Sequence, residues 1–75
     1  MTGMFYLLDL ERTLLAGVPA FWKGNRHGYT YSITEAGLFK EDFAEKLCKQ
    51  DINQRTIMIS EYAVINVLGK IEKLV

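Results

Sequence analysis

The chain predicts a small α+β domain: an antiparallel sheet of about four strands with two helices, in the order β-β-β-α-β-α. Three observations carry that reading. Strand formers dominate residues 4–10 and 56–59. Two aromatic stretches flank a short loop bounded by Gly24 and Gly28, which is the pattern of a hairpin. Apolar residues recur at helical spacing over 40–50 and again over 62–75. At 75 residues the chain has room for one thin core, so 1–75 reads as a single domain.

Taken in order, residues 4–10 form the first strand, central in the sheet because apolar side chains alternate onto both of its faces. Glu11, Arg12 and Thr13 make a polar break. Residues 14–19 then read as an irregular connection, since Gly17 and Pro19 discourage regular structure. Residues 20–23 resume as a strand, 24–28 turn, and 29–33 return antiparallel to it. A link over 34–39 pivots at Gly37. Helical spacing begins at Lys40: Phe43, Ala44, Leu47 and Cys48 share one face, and Glu41, Asp42, Glu45, Lys46 and Lys49 the other. Acidic residues lead that helix and basic ones end it, as the helix dipole favours.

After a turn at 51–54 and a strand at 56–59, Ser60 reads as an N-cap with Glu61 in the first turn. Val64, Val67, Leu68, Ile71, Leu74 and Val75 follow as a wide apolar stripe, with Tyr62 and Ile65 beside it. Gly69 weakens that helix by about 1 kcal/mol relative to alanine. The stripe serves either as core or as a self-association surface. A homo-oligomer through Val64, Leu68, Ile71 and Val75 is the expectation drawn from its breadth.

Charge narrows the function. Nine basic and nine acidic residues cancel, which argues against a protein that coats duplex DNA by bulk charge. Cys48 is the only cysteine. It reads as a buried structural thiol, and its isolation suits a reducing cytoplasm. The N-terminus lacks the pattern of a secretion signal, and the longest apolar run falls far short of the roughly 20 residues a membrane helix needs. A cytoplasmic protein without a membrane partner is expected.

The most informative segment is Phe21-Trp22-Lys23-Gly24-Asn25-Arg26-His27-Gly28-Tyr29-Thr30-Tyr31. It sets a cationic tip on an aromatic base, which is either a binding element or an ordinary hairpin tip. The pattern Trp22-Lys23-x-Asn25-x-x-Gly28-Tyr29-Thr30, continued by Glu35-Ala36-Gly37-x-Phe39, resembles small phage and prophage proteins to which no activity is assigned. The resemblance covers about residues 21–60. It implies phage or prophage origin and is silent on chemistry.

Catalysis finds little support in these residues. His27 is the only histidine, Ser32 and Ser60 lack a nucleophile elbow, and Gly24-x-x-x-Gly28 lacks the Lys-Ser or Lys-Thr of a phosphate loop. One histidine and one cysteine cannot form a metal cluster of those ligands, and no cofactor is called for. The enzymatic alternative is a small ribonuclease toxin, with His27 as acid or base and Lys23, Arg26 and Arg55 stabilising developing charge.

Binding fits better. Trp22, Tyr29, Tyr31 and Arg26 are of the types that dominate interface hot spots. The leading expectation is therefore a non-enzymatic, phage-type protein that binds and modulates a host protein, of the inhibitor or anti-defence kind. An oligomeric nucleotide sponge is the alternative, with Trp22 or Tyr29 stacking a base and Lys23, Arg26 and Arg55 holding phosphates. A single-strand binder using Tyr29 and Tyr31 as stacking platforms is weaker, given the neutral charge. The candidate binding residues are Trp22, Lys23, Asn25, Arg26, His27, Tyr29, Tyr31 and Arg55.

Overall fold

The computed structural model describes residues 3–24 and 28–66. It shows an α+β architecture built on one antiparallel sheet. β1 (Met4–Asp9) is the hub. On one edge it pairs with β5 (Thr56–Ser60) over its whole length, from Phe5↔Ser60 to Asp9↔Thr56. Its other edge is divided: β2 (Phe21–Trp22) pairs near Leu8, and β4 (Phe39–Lys40) pairs at Met4 and Phe5. β3 (Tyr29–Thr30) closes the hairpin onto β2 with Phe21↔Thr30 and Trp22↔Tyr29. The two-sided apolar pattern of residues 4–10 is thus explained, because a strand with neighbours on both edges and cover on both faces has no water-facing side.

Strand alternation sorts the core into two layers. Tyr6, Leu8 and Phe21 lie on one face, with Ile33, Ala36, Ile59 and Val64 packed against them. Tyr6 and Phe21 meet there with ring centroids 5.7 Å apart. Leu7 and Phe39 lie on the other face under Ala44 of α2 (Glu41–Gln50), with Phe5, Trp22, Leu47, Cys48 and Met58 around them. Leu7 is fully enclosed, a burial that contributes about 1.5–3 kcal/mol. Cys48 is half-buried against this layer. Burial pushes its thiol pKa up, and a backbone hydrogen bond from Met58 partly offsets that rise.

Besides the hairpin's second strand, which ends at Thr30 and turns over 31–35 instead of running to Ile33, two elements differ from the sequence reading. Residues 10–16, expected as a polar break and an irregular connection, form a helix, α1 (Leu10–Ala16). None of its residues is buried, so its ends hold it. Asp9 Oδ1 accepts from the Arg12 N–H at 2.9 Å. The Thr13 hydroxyl donates to the Asp9 carbonyl at 2.7 Å and accepts from the Ala20 N–H at 3.0 Å. Gly17 ends the helix at φ 75°, a left-handed cap that glycine adopts without steric cost. The second difference is β4, two residues of strand inside the expected link. A third helical run, residues 61–66, follows β5 where Ser60 predicted it, and Ser60 Oγ accepts from the Tyr62 N–H at 3.2 Å. The order is therefore β-α-β-β-β-α-β followed by that helical run. The expected continuation through Leu68, Ile71 and Val75 lies outside the described residues.

Candidate functional site

The motif residues of the hairpin come together, and most of them do structural work. The Gly28 carbonyl accepts from the Lys23 N–H at 3.2 Å, closing the turn, and Gly28 sits at φ 98°, which disfavours any side chain. The Gly37 N–H donates to the Trp22 carbonyl at 2.9 Å, and Lys23 bridges to Ala36. This brings the Gly37 backbone against Gly24 so closely that a Cβ on Gly37 would lie 2.4 Å from the Gly24 Cα. The Thr30 hydroxyl donates to Glu35 Oε2 at 3.2 Å and accepts from the Ser32 N–H at 3.1 Å. The Gly-Tyr-Thr and Glu-Ala-Gly patterns are two halves of one clasp that folds the link back along β2.

Beside that clasp lies a cleft of about 320 Å³, lined by Asp9, Trp22, Tyr29, Leu47, Gln50, Asp51, Arg55 and Thr56. It sits where the hairpin, the end of α2 and the start of β5 converge. Trp22 and Tyr29 form its aromatic wall, with ring centroids 5.1 Å apart and planes tilted by 58°. The Arg12 guanidinium rests over the Tyr29 ring, 4.0 Å from its centroid, a cation–π contact. Arg55 forms an ion pair with Glu11, tying the turn before β5 to α1.

The two carboxylates of the cleft are engaged differently. Asp51 organises the turn into β5. Its Oδ2 accepts from the Arg55 N–H at 2.9 Å, the Thr56 N–H at 2.8 Å and the Thr56 hydroxyl at 2.9 Å, while Oδ1 accepts from the Asn53 N–H at 3.2 Å. The Thr56 hydroxyl above all, with the backbone donors, holds the Asp51 pKa below the ordinary carboxylate range. Asp9 is 9% exposed, and Oδ1, bonded to the Arg12 N–H, is its one engaged side-chain oxygen among the described residues.

On the opposite face of the sheet lies an apolar hollow of about 400 Å³, lined by Pro19, Phe21, Tyr31, Ile33, Ile59, Ala63 and Val64. The candidate residues named from the sequence therefore divide. Trp22, Tyr29 and Arg55 share the cleft. Tyr31 lies beyond the end of β3 and borders the hollow. Lys23 is exposed on the hairpin. Asn25, Arg26 and His27 lie outside the described residues.

Sequence reasoning missed Asp9, Arg12, Leu47, Gln50, Asp51 and Thr56 as neighbours of this site. A usable signal existed for Asp9 alone: an Asp N-cap ahead of Leu10, with Gly17 and Pro19 downstream, marks a short helix. Nothing local in the chain announces that residues 9, 22, 47 and 55 meet. Among the described residues no group of three or more His, Cys, Asp or Glu is placed to hold a metal ion, and no helix is long and apolar enough to cross a membrane. Comparison of the chain with family models, with curated proteins and with solved structures finds no match in any of the three.

Proposed function

We propose that this is a non-enzymatic, phage-type interaction protein that acts in the host cytoplasm by seating on a host protein and modulating it. The observation that supports the reading is the apolar hollow on the sheet face away from α2. Its lining is hydrocarbon and aromatic, without a charged side chain. Tyr31 stands at its rim with 62% of its surface exposed. A concave apolar patch edged by a tyrosine is the kind of surface on which a partner's aliphatic or aromatic anchor is buried. The phage-like hairpin motif contributes by shaping that rim: Thr30, Ser32 and Glu35 fix the bend that carries Tyr31 out of β3.

The test uses the affinity-tagged protein in host lysate, followed by titration of the captured protein. Tyr31→Glu places a charge on the rim without disturbing a buried group, and Ile52→Glu alters an exposed isoleucine on the distant turn. Wild type and Ile52→Glu should hold the same partner. Tyr31→Glu, folded by circular dichroism, should weaken it about tenfold or more. Equal capture by all three, or no specific partner for the wild type, would remove this reading.

A further inference from the structure

We infer that the cleft between the hairpin and the end of α2 binds the head of an organic cation, an alkyl guanidinium or alkyl ammonium group, with Asp9 as its anchor. Sorting the cleft's charges leads there. Arg55 already pairs with Glu11, both side chains being about half exposed. Asp51 accepts four hydrogen bonds, three at Oδ2 and one at Oδ1, so both of its oxygens are engaged. Asp9 differs in having one side-chain oxygen that takes no hydrogen bond among the described residues. The residue is nine-tenths buried, yet its side chain takes a single hydrogen bond through Oδ1 and joins no ion pair among the described residues.

The free oxygen of this largely buried residue still reaches solvent where Asp9 lines the cleft, and a donor that carries charge makes the stronger hydrogen bond to it. The rest of the lining suits an alkyl stem behind such a head. Trp22 presents an aromatic wall and Leu47 an aliphatic one, while the Tyr29 ring beside them already carries the Arg12 guanidinium. The volume, about 320 Å³, lies at the small end of ligand sites. That size fits one amine or one side chain. A phosphate would meet two carboxylates and an arginine already paired, so the cleft disfavours the phosphate half of a nucleotide.

Trp22 is the only tryptophan in the chain, so its fluorescence reports on this cleft directly. Agmatine, acetyl-Gly-Arg-Gly-amide and adenosine monophosphate are titrated separately. Saturable change with either cation, and none with the nucleotide, is expected, and the stronger of the two cations tells whether a free amine or a peptide side chain is the better occupant. Asp9→Asn keeps a good helix cap while deleting the charge, and should weaken the cation about tenfold or more. Asp9→Ser, another capping residue, repeats the measurement should Asp9→Asn fold poorly. No saturable change below about 1 mM, undiminished binding by the folded variants, or preference for the nucleotide would each overturn the assignment.

Discussion

Asp51 shows how one side chain sets the pH response of a turn. Its carboxylate gathers donors from Asn53, Arg55 and Thr56 and so orders the entry to β5, the strand that pairs with β1 from Phe5 to Asp9. Those bonds favour the ionised form and depress its pKa. A depressed acid contributes stability that is complete above its unfolded value, about 3.9, and that is lost as pH falls through the lower folded value. Denaturant midpoints should therefore place the wild type above Asp51→Asn at pH 6, with the gap closing steadily below about pH 4. A gap independent of pH would show that the turn does not rely on the charge.

At the level of elements, the clasp between β2 and the 34–37 link gives an asymmetric prediction. A methyl group on Gly37 would meet the Gly24 and Lys23 backbone at 2.4–2.9 Å, whereas one on Gly24 finds its nearest neighbour at 3.7 Å. Backbone cannot step aside as a flexible side chain can. Gly37→Ala should cost about 3 kcal/mol by overpacking, and Gly24→Ala well under 1 kcal/mol, as read by urea denaturation. Equal effects would mean that the clasp opens easily. The same elements show what the sequence reveals and what it hides. α2, β5 and the hairpin were legible because each has a local period or a glycine-bounded turn. α1 was not, because the single i,i+4 pair of Leu10 and Leu14 in seven residues is too short to mark a helix, and Gly17 and Pro19 point to a loop. β4 is too short to show a pattern at all; its pairing with Met4 and Phe5 is a tertiary event. Trp22, Tyr29 and Arg55 were legible as residue types, but their shared cleft with Asp9 depends on β1 bridging distant parts of the chain.

At the scale of the whole molecule, the two faces of the sheet are covered unequally. α2 lies across one face, while the other keeps the hollow beside residues 61–66. Val64, expected at a self-association surface, instead packs partly buried against Tyr6, Leu8 and Phe21, and the large apolar side chains that run exposes among the described residues are Tyr62 and Ile65. Leu14 and Leu15 of α1 add further apolar surface at 74% and 82% exposure. With a net charge of zero, copies carrying such surfaces repel one another little. A homodimer or larger assembly is accordingly the expected solution state, and Ile65→Glu distinguishes it from simple packing. Light scattering should give a wild-type mass above 8.6 kDa that rises with concentration. Ile65→Glu should return toward the monomer with its helix signal intact, whereas Val64→Glu, which buries a charge against the core, should unfold the chain. A wild-type mass fixed at the monomer across the concentration series would show that zero net charge and exposed leucines are tolerated here without self-association.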